Sequence, residues 1–308
     1  MNHLPQTRTL IFDTDIGSDV DDAMALAQII GTPELRLDSV TTVYGDTLLR
    51  AKIARRYGVL ARQDLAVHAG QSTPLSGREV WWPGHEGSLH EELDRETIAE
   101  RPAVEHLITT LRARPGEIDV VAVGPLTNIA EALEREPQVA TWIRHLWIMG
   151  GSFPPGSKAE HNFRSDAVAA STVLSAGIPT TVTGLDVTRQ LGIDQAGLDL
   201  IGAAGALGAA LRADIQQWWE FWQQEWNVPH DPVAVLTLSR PDLFTFSEPG
   251  VVEIDKSDGM STFTPDAAGT IRVALTVDGP RAAAAIIEAI QRAGAGDPVV
   301  ARTPPGGR

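Results

Sequence analysis

RTLIFDTDIGSDVDDAMALAQII, residues 8–30, is the stretch on which the fold is decided. RTLIFDTD is a short apolar run that ends in acids and reads as a buried strand. DDAMALAQII has helical spacing with carboxylates at its start. A strand, an acidic loop and a helix in that order open a β-α-β unit, and the pattern recurs down the chain. LDSVTTVYG (37–45), LAVHAG (65–70), IDVVAVG (118–124), HLWIMGG (145–151) and IPTTVTGLDVT (178–188) read as strands. LLRAKIARRYGVL (48–60) and segments at 102–114, 126–135 and 166–176 read as helices. Such alternation predicts an α/β fold: a mostly parallel open sheet with right-handed crossovers and helices on both faces. GVVEID (250–255) and TIRVALTVD (270–278) suggest a small antiparallel hairpin near the C-terminus, followed by a helix over 280–292. Residues 205–226 read as one long helix that carries Trp218, Trp219, Trp222 and Trp226. We expect one domain over 1–296 and a flexible tail at 297–308.

Composition narrows the function classes. The 308 residues carry a formal charge of −15, which disfavours a nucleic-acid partner, since such binding rests on Lys and Arg clusters. The chain has no cysteine, so thiolate nucleophiles, disulfides and thiolate metal sites are excluded and any metal must sit on oxygen or imidazole. No apolar run approaches the roughly 20 residues needed to span a bilayer, and MNHLPQTRTL lacks a signal-peptide apolar region. The expectation is a cytoplasmic protein with no membrane partner.

Ligands of open parallel sheets bind beyond the carboxyl ends of the strands, so residues just after each apolar run are candidates for chemistry. Asp13, Asp15, Asp19, Asp21 and Asp22 place five carboxylates within ten residues at such a junction. One or two acids at a helix start are ordinary capping, but five repel one another unless a cation is present. With only oxygen donors available, that cation is hard, calcium or magnesium. A divalent ion beside a carboxylate base makes a nucleophile from water near neutral pH, which is hydrolase chemistry.

DTDIGSDVDDA resembles the N-terminal signature of the inosine-uridine preferring nucleoside hydrolase family. Four further segments fall in that family's order: AVGPLTNIA (122–130), MGGS (149–152) with AEHNF (159–163), GLDVT (184–188) and PHDPVAVL (229–236). The resemblance implies a nucleoside hydrolase-like fold and an enzyme that cleaves the N-glycosidic bond of a ribonucleoside with a calcium-bound water. Asp15 matches the residue that touches Ca2+ and serves as base. Asp22, Asp231 and the carbonyl of Val123 match the other calcium ligands. Asp21, Glu160 and Asn162 match residues on the ribose hydroxyls, and His230 matches the residue facing the leaving base. An oxocarbenium-like ribosyl cation gives those roles physical sense, because it wants carboxylates near the ring and a donor at the departing base. The resemblance also implies a homodimer or homotetramer acting on a small-molecule nucleoside or related ribosyl compound.

The chain departs from the family pattern in places. Ile16 stands where the family has proline, Ser18, Asp19 and Val20 lengthen the loop, and Asp46 stands where a ribose-binding asparagine is usual. No asparagine separates MGGS from AEHNF. In the long polar loop 70–94, His85 and Trp82 are candidates for contact with the base, the indole by stacking. The tryptophans of 205–226 have the spacing of a core or subunit-interface stripe. His161 is expected to point away from Glu160 and Asn162 in an extended segment. Two other readings stand beside the hydrolase. FDTD superficially offers the two aspartates of a haloacid dehalogenase-type phosphohydrolase, but HDP and GPLTN have no place in that chemistry. A calcium- and ribosyl-binding protein without turnover would account for Asp46.

Overall fold

The computed structural model describes residues 7–296, and the expected tail at 297–308 lies outside the described residues. The chain opens with β1 (Arg8–Thr14), α1 (Asp21–Ile30), β2 (Leu35–Thr42), α2 (Thr47–Leu60) and β3 (Val67–Ala69). After the long loop come α3 (Ala103–Ala113), β4 (Ile118–Ala122), α4 (Thr127–Arg135), α5 (Val139–Trp142) and β5 (Ile143–Met149). Then follow α6 (His161–Ser165), α7 (Ala167–Leu174), β6 (Thr180–Thr183), α8 (Leu185–Thr188), α9 (Gln195–Gly202), α10 (Gly205–Trp222) and α11 (His230–Ser239). The chain closes with β7 (Phe244–Phe246), β8 (Gly250–Ile254), β9 (Ser261–Pro265), β10 (Ile271–Val277) and α12 (Gly279–Ala295).

The strands form one ten-stranded sheet in the order β3-β2-β1-β4-β5-β6-β10-β8-β9, with β7 paired to β10. From β3 to β10 along this order every pairing is parallel, as the βα alternation predicts. Side-chain alternation along the strands fills two cores. Leu10, Phe12, Val121, Trp147 and Met149 join the core under α1, α2 and α9 to α12, while Ile11, Val120, Ala122, Leu146 and Ile148 join the core under α3, α4 and α7. Helices therefore cover both faces. Strand order reverses at β1: the chain steps outward to β2 and β3, then returns to β4 on the other side. That reversal opens a crevice at the carboxyl ends of β1 and β4, where ligands of such sheets bind.

Three expected elements differ. GLDVT does not continue β6; the Gly184 carbonyl accepts from the amides of Val187 and Thr188, so the chain turns into α8. The long helix stops at Trp222, because Gln223 takes a left-handed φ of 54° and Gln224 N–H returns to the Trp219 carbonyl; Trp226 lies past its end. The C-terminal hairpin is β8 with β9, not β8 with β10. β10 lies parallel to β6 inside the sheet and meets β8 only at Ile271 and Gly250. The strand missed in STFTP has an exposed or half-exposed face along its whole length and so carries little apolar periodicity.

Candidate active site

A cavity of about 830 Å³ opens at the β1/β4 crevice, floored by Asp15, Asp21, Asp22, Asp231 and Val123. The last turn of β1 sets the floor. Asp13 accepts from Thr41 Oγ1 and from Asn128 Nδ2 (2.7 Å), and its Oδ2 is buried with no protein partner. Thr14 Oγ1 donates to Asp22 and accepts from the Ile16 amide (3.1 Å), which ties the start of α1 to the strand end. Gly124, directly after Val123, is required by close approach: a Cβ there would lie 2.7 Å from Asp15 Oδ1.

Asp21, Asp22 and Asp231 each offer a carboxylate oxygen within 4.8 Å of the others, and all three are buried. They come from the two helix starts, α1 and α11, and the Asp231 amide donates to Asp21 Oδ2 (3.3 Å). Burial raises all of their pKa values, and the neighbouring carboxylates add to the rise. Burial also raises Asp15, and it pushes Asp13 and Asp19 up to about 7. Like charges forced together out of water are stable when a cation joins them. An all-oxygen set of three converging carboxylates, with Asp15 and a strand-end carbonyl beside it, fits a hard divalent ion. Asp21 joins this set, although the resemblance gives it to the sugar; Asp15 stands outside it, against Gly124.

The cation that the fold does supply there is Arg50, which is fully buried. Its guanidinium donates to the carbonyls of Tyr44 (2.6 Å), Asp15 and Ile16 (2.9 Å) and to Ser18 Oγ (3.1 Å). Ser18 Oγ in turn donates to Glu86 (2.8 Å), and His85 Nε2 meets the Ser18 carbonyl (2.8 Å). The lengthened acidic loop is thus pinned from below by α2 and from above by loop 70–94. Arg50→Met leaves three carbonyls without their donor. We expect a loss of about 3 kcal/mol or more in urea unfolding; unchanged stability would mean that water replaces the guanidinium.

Glu160 caps α6, accepting from the amides of Asn162 (2.6 Å), Phe163 (3.0 Å) and Gly151 (3.1 Å). Asn162 Nδ2 donates to the carbonyls of Val123 (2.6 Å) and Met149 (3.2 Å), so its Oδ1 is left to face the cavity as an acceptor. The segment 159–163 is not extended: His161 begins α6, lines the cavity, and stands edge-on to Tyr44 and Trp81. His230 Nδ1 meets Thr188 Oγ1 at 2.6 Å, and burial lowers its pKa to about 4, so the imidazole is neutral at pH 7.

The structure brings Asp15, Asp21, Asp22, Val123, Glu160, Asn162, His230 and Asp231 to one cavity. Three expected contacts lie elsewhere. Asp46 is exposed and caps α2, accepting from the Leu49 amide (2.9 Å). Trp82 packs on Arg50, its ring centre 4.8 Å from the guanidinium carbon, and Trp81 lines the cavity in its place. His85 lies behind the acidic loop, edge-on to Trp218 and Phe221. Of the tryptophan helix, Trp218 and Trp219 are both buried as expected of a core stripe, and Trp218, with the half-exposed Trp222, also lines the cavity. Arg50 and Thr188 escaped the sequence reading. The signal for Arg50 is one basic residue among the apolar positions of LLRAKIARRYGVL; Thr188 had none once GLDVT was read as strand.

Residues 10–285 match the model of the family described as inosine-uridine preferring nucleoside hydrolase. Uridine nucleosidase 1 of Arabidopsis thaliana is 31% identical over 266 residues, covering 80% of this chain and 78% of that one. The non-specific ribonucleoside hydrolase RihC of Escherichia fergusonii is 34% identical over 251 residues, covering 77% of this chain and 80% of its own. A solved plant nucleoside hydrolase, PpNRh1, superposes with a TM-score of 0.82 at 28% identity, over 94% of this chain and 99% of that one.

Proposed function

The chain belongs to the inosine-uridine preferring nucleoside hydrolase family, and from that premise we propose that Asp15 deprotonates the water that attacks C1′ of a ribonucleoside above a calcium-holding carboxylate floor. The chain is an N-ribosyl hydrolase, cleaving the N-glycosidic bond to free base and ribose. The observation that carries the site reading is the convergence of Asp21, Asp22 and Asp231 within 4.8 Å at the strand reversal.

Asp22, Asp231, Asp15 and the Val123 carbonyl would hold calcium, with Asp21 in reach of the same ion or of a sugar hydroxyl. A calcium ion held there would supply Lewis-acid polarisation of a water and a docking point for sugar hydroxyls. Asp15 takes the water's proton. Asn162 Oδ1 and the remaining lone pairs of Glu160 accept from ribose hydroxyls, which fixes the ring over the floor. As C1′ gains cationic character, the surrounding carboxylates stabilise it. With the Thr188 hydroxyl donating to Nδ1, His230 keeps its proton on Nε2 and donates a hydrogen bond to the departing base. Trp81, Trp218 and Trp222 offer flat faces to that base.

A single catalytic unit fits the one sheet that runs from β1 to β10. Phe221, Trp222 and Trp226, each about half exposed, support a homodimer or homotetramer. Among the described residues no helix is long and apolar enough to cross a membrane. Cytoplasmic residence and a role in nucleoside salvage complete the proposal.

The test is ribose release from a panel of purine and pyrimidine nucleosides, with calcium and after chelation. Turnover of at least one member that chelation abolishes is expected. Retained calcium binding with no ribose from any member would favour the binding protein without turnover.

A further inference from the structure

Most basic side chains of this acidic protein are tied up. Of the 23 Lys and Arg among the described residues, 13 make ion pairs. Arg78, Lys158, Arg164 and Arg189 are not among those 13, and all four line the cavity. Only one carboxylate lining it, Glu79, lies outside the aspartate loop, Glu160 and Asp231.

The four cations divide between two ends of the cavity. Arg189 directly follows Thr188, whose hydroxyl meets His230 Nδ1, so it lies at the base end. Lys158 and Arg164 bracket Glu160 and Asn162, two residues to either side of the pair that faces the sugar. Arg78 reaches the same region: its guanidinium donates to the Ser257 carbonyl, and the adjoining Gly259 packs on the Arg164 backbone. The acids of that turn are engaged locally, Asp255 by Ser257 and Asp258 by the Met260 amide. The cavity thus has a carboxylate floor for a metal and sugar diol, and among its lining residues a set of cations, Arg78, Lys158 and Arg164, without carboxylate partners.

We propose that Arg78, Lys158 and Arg164 form an anion subsite for a phosphate carried on the ribose, making nucleoside 5′-monophosphates substrates of this hydrolase. The inference rests on the hydrolase reading and names the substrate class of the same site. Water adds to C1′, the C1′–N bond breaks with its electron pair going to the base, and the base takes a proton; the phosphate ester is untouched. The products are free base and ribose 5-phosphate. A chain of charge −15 repels a free nucleotide, and local cations that can take phosphate oxygens offset that repulsion where the substrate enters.

The experiment uses the calcium-loaded protein and paired substrates: uridine and inosine, their 5′-monophosphates, and orotidine, whose anion is on the base. We expect kcat/KM at least about tenfold higher for a monophosphate than for its nucleoside. The triple variant R78A/K158A/R164A should lower the monophosphate value about 30-fold or more and leave the nucleoside value within about twofold. Quenching of tryptophan fluorescence by ribose 5-phosphate, weakened by the same variant and absent with ribose at equal concentration, would support the subsite independently of turnover. Nucleosides cleaved and monophosphates refused overturns the subsite alone. Equal losses on both substrates, or a preference for orotidine that follows Arg189→Ala, also overturns it. Cleavage of neither class overturns the hydrolase reading and the subsite with it.

Discussion

Replacing Asp15 with asparagine is expected to lower kcat by about 10³-fold or more while the protein stays folded, because it removes the general base and one charged oxygen donor to the ion but keeps the shape of the side chain. The substitution is isosteric, and the backbone around it is fixed from outside the side chain: Arg50 holds the Asp15 carbonyl, and Gly124 makes room for the carboxyl group. Asp15 lies outside the trio of converging carboxylates, so much of the ion site survives the change. Stability moves in a direction that separates this outcome from misfolding. Burial raises the Asp15 pKa, so its charged form opposes folding in the ion-free protein, and the neutral amide should unfold at an equal or higher temperature under chelation. Ribose release and thermal unfolding measured on the same preparation check both halves. Unchanged kcat would remove Asp15 from the role of base. Lost activity with a lowered Tm would mean that the amide disturbs the floor.

Much of the scaffold was legible because the strands that build the crevice are buried on both faces and read as apolar runs, whereas their ends are acidic. RTLIFDTD announces both properties at once. The aspartates of the floor were legible for the same reason: a carboxylate that continues a buried strand or starts a buried helix is costly, and its presence points to a partner. What remained hidden depends on tertiary direction. Asp46 and Trp82 sit at the right places in the sequence, but Asp46 is used by the first turn of α2 and Trp82 by the guanidinium of Arg50. Trp218 and Trp222, four residues apart on one face of α10, line the cavity, whereas Trp219 is turned about 100° away into the core, and sequence spacing alone does not say which face meets the cavity. His161 changed direction because Glu160 caps a helix where an extended segment was expected.

Removal of the ion is expected to have the second large effect, with a pH dependence fixed in sign. Asp13 and Asp19 have folded pKa values raised to about 7, far above the ordinary carboxylate range. A group with a raised folded pKa contributes stability that is complete below its unfolded pKa, near 4, and is lost as pH rises through the folded value. The other carboxylates of the floor are raised too and act in the same sense. Buried histidines act oppositely. His106 and His145 are lowered to about 4, so the stability they contribute is lost as pH falls from about 6.5 toward 4. Between pH 6.5 and 8.5 the histidines are silent and the carboxylates govern. Under chelation Tm should therefore fall across that window. Calcium binds the charged carboxylates in competition with protons, so its stabilisation should grow with pH. At a free concentration one hundredfold above Kd it contributes about 2.7 kcal/mol, a rise of roughly 5 °C for a domain of this size. Scanning calorimetry at pH 6.5 and 8.5, with calcium, with magnesium and with chelator, measures all of these together. A Tm indifferent to calcium at both pH values would leave the converging carboxylates without their ion, and a larger gain with magnesium would assign the floor to the smaller cation.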